Sequence, residues 1–536
     1  MLRFFFIATV ILFLISTLRV GNGARILGIF PVTSISHQVV FRGLTLALNK
    51  RGHELVVVTP NPVRDPTLKN YKEIDLSYLY DNRKNLDSLQ FKTNTNWLDI
   101  FWNDLENLFY VYTHKILRTP ELKELYSPDN DETFDLVLIE SLFFPSLLAL
   151  ATRFDAPIIG ITSLGLSANI HYSIGNPVLT SHPSNWEINL DAHGSPTLWE
   201  RIKNFVTVWK HIYYYRTYHM RKQQEIAEEY FGKDIPDIRD IEKNISLVFV
   251  NQQTPISFVR AHVPKHIEIG NFHVSREIVK LPKGLQKILD EATQGFVYMS
   301  LGSNVKSNLL TNRTRDEFIT AFSKLPYKVL WKFEDDDLPG KPENVVTMKW
   351  IPQQGVLAHP NLKVFIYQGG LQSTEEATSH AVPLIGLPVY ADQYMQVGKM
   401  VSLGVAKKLD IGNVRSEDLV VAIRAITSDN GYKQRMLNLR SLLKDKPKDP
   451  LENAIWWTEH VIRNRGAPQL HCSTADEPWY SRYDMDVIAI LSAGSVIATF
   501  LMLAMFYKFL VYGISLAGIN SNGSKESSLI EKKKRN

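Results

Sequence analysis

The feature that most constrains the fold is an alternation of strand and helix patterns, which occurs in two separate blocks of this 536-residue chain. The first block has apolar or valine-rich runs separated by segments with helical spacing. Its predicted elements are strand 25–30, helix 39–49, strand 54–59, strand 134–140, helix 143–154 and strand 157–162. Alternation of this kind predicts a parallel sheet covered by helices on both faces.

The second block begins after Pro282 and repeats the pattern. Its predicted strands are 295–301, 327–333, 345–350, 363–368 and 383–387, with helices between them and another helix at 416–426. Two doubly wound domains in tandem create a cleft, and ligands are expected at the carboxyl ends of the strands. The sequence therefore predicts an α/β protein built from two Rossmann-like domains.

Both ends of the chain carry targeting patterns. A positive start, an apolar run over 4–18 and small residues before Ala24 predict a signal peptide. Residues 487–507 contain no charge and are long enough to cross a bilayer as a helix. Acidic residues precede this run and a basic tail follows it, so the positive-inside rule predicts a single-pass type I protein with a luminal body.

The charge distribution agrees with this topology. Six Lys/Arg against two Glu in residues 508–536 account for +4 of the net +5, so the rest is nearly neutral and presents no basic face for nucleic acid. Lys533 and Lys534 resemble the dilysine signal of endoplasmic-reticulum membrane proteins. Cys472 is the only cysteine, which excludes an intramolecular disulfide. Asn244 and Asn312 open glycosylation sequons in the predicted luminal part.

The stretch FIYQGGLQSTEEA at 365–377 is the strongest local motif. Its predicted strand ends at Gln368-Gly369-Gly370, where bare backbone and the start of a new helix suit a phosphate group. Three side chains could add hydrogen-bond donors to that phosphate: Gln368, Gln372 and Ser373. Glu376 lies more than one turn into the helix, where a carboxylate suits vicinal ribose hydroxyls. The expected ligand is a nucleoside diphosphate, although two glycines alone also occur in ordinary strand-to-helix turns.

Competing motifs are absent from the sequence or better explained otherwise. There is no Gly-x-Gly-x-x-Gly after a strand, no Walker loop, no His-Glu-x-x-His and no Gly-x-Ser-x-Gly. The acidic run 334–337 contains an Asp-x-Asp of the kind that metal-dependent transferases use. It precedes Leu338-Pro339-Gly340, so an acidic surface turn is the better interpretation, and no metal is expected.

Residues 350–393 resemble the signature of the membrane-bound UDP-glycosyltransferases of animals, and the chain is most similar to arthropod-type members. The matching residues are Trp350, Gln353, Gln368-Gly369-Gly370, Gln372, Ser373, Glu376, Ala377, Pro383, Pro388 and Asp392-Gln393. The resemblance implies the GT-B fold, in which two Rossmann-like domains face each other. The implied organisation is a signal peptide (1–23), an acceptor-binding domain (24–270), a UDP-sugar-binding domain (271–450), a closing helix and linker (451–484), a transmembrane helix (485–507) and a cytosolic tail (508–536).

The resemblance also implies roles for individual donor-site residues. Trp350 would stack on uracil, Gln353 and Glu376 would bind the ribose, Ser303 the diphosphate, and Asp392 and Gln393 the sugar hydroxyls, with Arg260 as a further basic position. Plain alternatives exist for some of them, such as a core role for Trp350 and a helix cap for Asp392. The chain departs from the family at Gln368, where histidine is usual.

His37 follows the first strand near the start of the first helix, where the helix end disfavours a positive charge on the imidazole. A polar helix-end residue is its plain alternative, but the family's catalytic base occupies this position. Such a base needs an acid to orient it. Glu140 stands at the strand end where the family commonly has aspartate, whereas Asp135 is an alternative acid at the opposite end of the same strand.

The expected reaction is transfer of a hexose from a UDP-sugar to a hydroxyl group with inversion, without a cofactor. Glucose is the favoured sugar and glucuronic acid the second, and the acceptor is a small lipophilic compound. Aromatic residues in 71–115 and 186–231 indicate either helix packing, an apolar pocket or a membrane-touching surface. A catalytically silent, membrane-anchored binder of lipophilic compounds is the alternative function, and the oligomeric state is left open.

Overall fold

A computed structural model describes residues 23–82, 84–87, 95–190, 195–275 and 277–534, with only the backbone for residues 84, 85 and 517–533. The predicted signal peptide, apart from residue 23, and the last two residues of the tail lie outside the described residues. The chain forms two compact units, Met1–Ala475 and Asp476–Asn536.

The first unit contains a seven-stranded sheet in the order β3-β2-β1-β4-β5-β6-β7, and every neighbouring pair is parallel. Its strands are β1 Arg25–Ile29, β2 Glu54–Thr59, β3 Tyr71–Asp75, β4 Leu136–Glu140, β5 Ile158–Thr162, β6 Leu247–Asn251 and β7 His266–Ile269. The α-helices between and around them are Ile35–Lys50, Lys84–Asp87, Trp97–Ile100, Glu106–Leu117, Pro120–Tyr126, Ala149–Arg153, Ala168–Ser173, Leu198–Tyr214, Met220–Phe231 and Ile238–Lys243.

Shorter turns complete this half. They are the 3₁₀ segments Ser77–Asn82, Pro145–Leu148 and Thr254–Ile256 and the π-helical segments Phe101–Leu105 and Tyr215–His219. The helix predicted over 143–154 is thus split into a 3₁₀ turn and a short α-helix. Pro145 starts the 3₁₀ turn, consistent with the preference of proline for the first position of a helix.

The second half of this unit has a six-stranded parallel sheet in the order β10-β9-β8-β11-β12-β13. Its strands are β8 Phe296–Ser300, β9 Lys328–Lys332, β10 Val345–Met348, β11 Leu362–Tyr367, β12 Leu384–Gly386 and β13 Ala406–Lys408. Its helices are Lys283–Asp290, Asn312–Ser323, Gln353–Leu357, Leu371–Ser379, Gln393–Ser402, Ser416–Ser428 and Asn430–Lys444, with a 3₁₀ turn at Ser307–Leu309.

Both sheets are buried on their two faces, which is why their central strands consist of continuous apolar runs. Separate hydrophobic clusters cover the faces of each sheet. The helix Pro450–Asn464 follows the second sheet in sequence but packs Ala454, Ile455 and Val461 into a cluster of the first sheet. The chain therefore returns to its first half after completing the second, and 3₁₀ turns at Pro468–Leu470 and Ser473–Ala475 end the unit.

The second unit consists of helices Trp479–Arg482 and Met485–Lys534. The segment Met485–Leu516 contains an 18-residue stretch with a mean hydropathy of 2.4 and is long and apolar enough to cross a membrane. It includes the span that the sequence predicts at 487–507 and makes this helix a candidate membrane anchor.

Candidate functional site

The order of strands reverses once in each sheet, between β1 and β4 in the first and between β8 and β11 in the second. Such switch points open a crevice at the carboxyl ends of the strands. His37 and Glu140 lie at the first switch point, and Ser303 and Gln368 lie at the second. The topology alone thus places all four at the positions where ligands bind in folds of this type.

A cavity of about 450 Å³ is lined by residues from both switch points. Its lining includes these predicted site residues: His37, Ser303, Trp350, Gln353, Gln368, Gly370, Gln372, Ser373, Glu376, Asp392 and Gln393. The two halves also touch beside it, because Asn304 Nδ2 donates to Ser34 Oγ at 2.9 Å. The crevice therefore brings together residues that are more than 250 positions apart in the chain.

His37 and Glu140 form a direct pair. The imidazole Nδ1 lies 2.7 Å from Glu140 Oε1, and the second carboxylate oxygen accepts the Val32 backbone N–H at 3.3 Å. The Glu140 side chain is 1% exposed and that of His37 is 13% exposed. Asp135, at the other end of β4, accepts the Arg25 backbone N–H instead. Glutamate, which is one methylene longer than the aspartate usual in the family, therefore reaches the histidine. With Nδ1 engaged, Nε2 is the ring nitrogen of His37 that is left to contact a substrate.

The glycine turn after β11 has two geometrical requirements. Gly369 has φ +98°, a left-handed conformation that favours glycine, and an added Cβ would lie 2.5 Å from Val397 Cγ2. A Cβ on Gly370 would lie 2.9 Å from Gln368 Nε2. Gly369 is thus explained by the turn and the adjacent helix rather than by ligand approach alone. Gly370 then directly precedes the helix Leu371–Ser379, whose first three residues line the cavity and whose first N–H groups lack partners within the helix.

Gln368 is buried beside this turn. Its Oε1 has no hydrogen-bond partner among the described residues, and its Nε2 lies near Gly302 of the turn after β8. Gly302 has φ +87°, so the glycine at that turn also adopts the left-handed conformation. The unpaired Oε1 is an acceptor and can bond only a ligand group that donates, whereas a phosphate oxygen could accept only from Nε2.

Glu376 lies in a network of amides. Gln353 Nε2 donates to Glu376 Oε2 at 2.6 Å and to Ser373 Oγ at 2.9 Å, and Gln354 Nε2 donates to Glu376 Oε1 at 3.2 Å. Burial raises the pKa of the Glu376 carboxyl, and His273 and the two amides oppose that rise. Gln353 and Glu376, which the family resemblance assigns to the ribose side, are therefore in direct contact.

Trp350 is 59% exposed at the cavity wall, which rules out a core role. Lys332 Nζ lies 5.8 Å from the centre of its ring and also binds Glu334 Oε1 at 2.7 Å and the Gly302 carbonyl at 3.0 Å. The indole therefore presents a free aromatic surface next to an anchored cation.

Asp392 occupies the N-cap position of the helix Gln393–Ser402, but its side chain makes no capping hydrogen bond. Burial raises the pKa of Asp392 to about 6, and the nearby His37 opposes this rise. Gln393 Oε1 accepts the backbone N–H groups of Val389 and Tyr390 at 2.9 and 3.2 Å. Gln393 thus fixes the loop before its own helix, and the electrostatic influence of His37 on Asp392 places these side chains of opposite halves near each other.

Two predicted donor residues make different contacts. Arg260 does not line the cavity and donates to the Pro177 carbonyl at 2.5 Å. Gln372 lines the cavity, but its Nε2 donates to the Ser163 carbonyl of the first half at 2.7 Å. In this structure the Gln372 side chain joins the two halves instead of pointing to the phosphate position.

Several contributors were not predicted from the sequence. Tyr298 O–H donates to Gln353 Oε1 at 3.0 Å, Gln354 supports Glu376, and Lys332 lies against Trp350. Gln354 could have been found because it directly follows Gln353. Tyr298 lies inside an apolar strand, where nothing local distinguishes a cavity residue from a core residue. Lys332 is the last residue of β9, so the rule that ligands bind at the carboxyl ends of strands could have found it.

The part of the cavity wall that the first half of the protein contributes is mainly aromatic and apolar. The aromatic rings that line it in the first half are Trp97, Phe109, Tyr112, Phe143, Phe144 and Trp186. Trp97 stacks on Tyr390 of the second half with 6.4 Å between ring centres. Other aromatics of the predicted segments, such as Trp199 and Tyr213, are exposed. The aromatic segments therefore serve more than one of the three purposes considered from the sequence.

Features outside the cavity can be placed as well. Asn244 and Asn312 are exposed at a helix end and a helix start. The acidic run at 334–337 forms a turn in which Asp336 pairs with Lys349 at 2.8 Å.

Comparisons with known proteins identify the family. The model described as "UDP-glucoronosyl and UDP-glucosyl transferase" matches residues 25–516. "UDP-glucosyltransferase 2" of Dactylopius coccus is 33% identical over 479 residues, covering 88% of this chain and 90% of that protein. Human "UDP-glucuronosyltransferase 2B15" is 26% identical over 489 residues, covering 88% and 91%. A solved structure of a UDP-glucosyltransferase from Polygonum tinctorium, capable of glucosylating indoxyl, has a TM-score of 0.55 at 15% identity and covers 82% of this chain and 99% of that one. The chain has the two-domain GT-B fold and is an enzyme of the UDP-glycosyltransferase family.

Proposed function

We propose that this enzyme transfers glucose from UDP-glucose to a hydroxyl group of a small lipophilic acceptor, with inversion at the anomeric carbon. The observation that carries the proposal is that His37, paired with the buried Glu140 at 2.7 Å, lines the same cavity as Gly370 of the glycine turn in the second half. A base on one side and a phosphate-binding turn on the other is the arrangement that displacement at a sugar carbon requires.

In the proposed reaction, His37 Nε2 accepts the proton of the acceptor hydroxyl. The hydroxyl oxygen forms a bond to the anomeric carbon as the bond from that carbon to the UDP oxygen breaks. Glu140 holds the Nδ1–H and stabilises the imidazolium that forms. Because its carboxylate is buried, this interaction is little screened by solvent.

The departing diphosphate gains negative charge during this step. In the proposal it meets the first N–H groups of the helix Leu371–Ser379, with Gln368 and Ser303 as further donors. Trp350 would stack on uracil, and Glu376 would bind the ribose hydroxyls. These fixed dipoles perform the charge stabilisation, so no metal takes part in the proposed step.

The charges near the proposed sugar position favour glucose over glucuronic acid. Asp392 lies close to His37, and with a pKa of about 6 it is ionised at neutral pH. Among the described residues that line the cavity, the basic side chains are His37 and Lys332, and Lys332 is held at Trp350. A sugar carboxylate would therefore face Asp392 without a cation to neutralise it.

The acceptor site is proposed to be the aromatic part of the cavity. Rings such as Trp97, Phe143 and Trp186 offer apolar area next to His37. A lipophilic phenol or alcohol could bury its rings there with its hydroxyl at the histidine. We further propose that the protein resides in the endoplasmic-reticulum membrane with a luminal body, supported by the span Met485–Leu516 and the exposed sequons.

A silent binder of lipophilic compounds is the competing function, motivated by the departures at Gln368 and Glu140. The direct contact from Glu140 to His37 counts against it, because the substituted acid still orients the base.

The test uses the full chain in detergent. UDP-glucose and UDP-glucuronic acid are each incubated with a panel of phenols and alcohols, and products are measured by mass spectrometry. We expect glucosides, and we expect His37→Ala to lower turnover at least about 100-fold while UDP binding survives. Near-normal turnover in His37→Ala would refute the mechanism, and faster transfer of glucuronic acid would refute the choice of sugar.

A further inference from the structure

The first of the two consecutive acids, Glu375, has no role in the donor site. It is completely buried, and it does not line the cavity that its neighbour Glu376 faces. Consecutive residues of a helix point about 100° apart, so the carboxylates of Glu375 and Glu376 in the helix Leu371–Ser379 face different neighbours. A buried carboxylate is costly unless other groups satisfy it, so its contacts indicate its purpose.

Among the described residues, the hydrogen bonds to the Glu375 carboxylate come from the first half of the protein or from the connection that leaves it. Oε1 accepts from Gln253 Nε2 at 2.7 Å and from the Asn271 backbone N–H at 3.2 Å. Oε2 accepts from Asn251 Nδ2 at 3.2 Å. Asn251 is the last residue of β6, so this carboxylate ties a helix of the second sheet to a strand of the first.

Neighbouring groups reinforce this connection. Lys446 Nζ donates to Gln253 Oε1 at 2.6 Å, and Asn251 Nδ2 also donates to the Ser163 carbonyl after β5. His273 lies between the two acids, with Nδ1 3.7 Å from Glu375 Oε2 and Nε2 3.7 Å from Glu376 Oε1. The network therefore runs from the first sheet, through Glu375, to the residue beside the proposed ribose site.

We propose that Glu375 is a positioning residue that holds the two halves in the register in which His37 reaches the anomeric carbon. β6 belongs to the same sheet as β4, which ends at Glu140, and β1, which leads into the helix that carries His37. The helix of Glu375 begins at the glycine turn and carries Glu376. The inference rests on the roles proposed above for His37 and Glu376. A displacement of about 1 Å between reacting groups can lower turnover about 100-fold.

The charge and shape of the carboxylate both matter here. Three N–H donors converge on Glu375, and a carboxylate offers only acceptors. In Glu375→Gln an amide N–H₂ would face one of these donors, so part of the network would be lost. In Glu375→Ala all of it would be lost, and the two variants should therefore differ in degree.

The kinetic test compares Glu375→Ala and Glu375→Gln with Thr378→Ala in the full chain. Thr378 is a matched control, because it is buried in the same helix and its hydroxyl donates only within that helix, to the carbonyls of Thr374 and Glu375. We expect Glu375→Ala to lower kcat about 10- to 100-fold while the Kd for UDP changes less than about threefold, with Glu375→Gln between it and the parent. Thr378→Ala should keep kcat within about twofold of the parent.

A second measurement does not depend on activity. The Asn271 amide donates to Glu375, so hydrogen–deuterium exchange around residue 271 should accelerate in Glu375→Ala but not in Thr378→Ala, while the strand Phe296–Ser300 stays protected. Unchanged kcat, unchanged exchange at residue 271, or loss of UDP affinity in parallel with kcat would each overturn the proposal. If the parent enzyme transfers no sugar, the proposed function fails, while the exchange experiment still decides whether Glu375 holds the two halves together.

Discussion

Replacing Glu140 by glutamine tests the catalytic pair without changing the size of the side chain. Both carboxylate oxygens accept hydrogen bonds, one from His37 and one from the Val32 backbone N–H. Glutamine has a single acceptor oxygen. If that oxygen stays with Val32, the amide N–H₂ faces His37 Nδ1 and forces the proton onto Nε2, which then cannot accept the proton of the acceptor hydroxyl.

The magnitude follows from the contact. A hydrogen bond to a charged group contributes about 1.5–3 kcal/mol, and every 1.36 kcal/mol is tenfold in rate, so losing the carboxylate costs about 10- to 160-fold in kcat. The change of tautomer adds to this loss.

The assay is the initial rate of glucoside formation from pH 5.5 to 8.5 at saturating UDP-glucose, with UDP affinity measured separately. UDP affinity should be unchanged, since the proposed nucleotide site lies on the second half. Asp135→Asn is the matched control, because Asp135 lies at the opposite end of the same strand and accepts the Arg25 N–H. Equal kcat for Glu140→Gln and the parent, or a larger loss in Asp135→Asn, would refute the reasoning.

Three further predictions concern the second half of the cavity. Gly369→Ala should lower the unfolding temperature, because a left-handed residue with a Cβ costs about 1–2 kcal/mol and this Cβ would meet Val397. The control Gly284→Ala should not lower it, because Gly284 lies in a helix with free space around it. Equal melting curves for the two variants would contradict this. For the parent, kcat/KM for the donor should fall as pH drops through about 6, since Asp392 becomes protonated there, and Asp392→Asn should show no such step; a step that survives the substitution must come from another group. Gln368→Ala should raise the donor KM, while Gln368→His should keep activity and bind UDP-glucose more tightly at acidic pH through a charged hydrogen bond; if Gln368→Ala matches the parent throughout, this side chain does not contact the phosphate.

Much of the architecture could be predicted from the sequence because the responsible signals are local. Buried parallel strands require continuous apolar runs, so the predicted strand 54–59 matches the observed β2. The helix predicted after the glycine turn begins where expected, at Leu371. The first helix begins earlier than its apolar spacing indicated, at Ile35, because its first turn contains polar residues that face the cavity instead of the core. Helix ends are set by such neighbours and are therefore predicted less well than helix interiors.

The sequence by itself determined which residue types stand at the strand ends, the glycines that permit the turn after β11, and the uncharged stretch within the last long helix, since each depends on the chemistry of a few consecutive residues. Only the tertiary structure decided which acid serves which purpose. Helix geometry points the identical side chains of Glu375 and Glu376 about 100° apart. Only the packing of this helix within the second half and against the first half decides that Glu376 meets Gln353 and Glu375 meets Asn251. The same holds for Gln372, a phosphate donor by sequence pattern, whose amide reaches the Ser163 carbonyl. Contacts between residues more than 100 positions apart depend on how the sheets face each other, and no local pattern encodes that geometry.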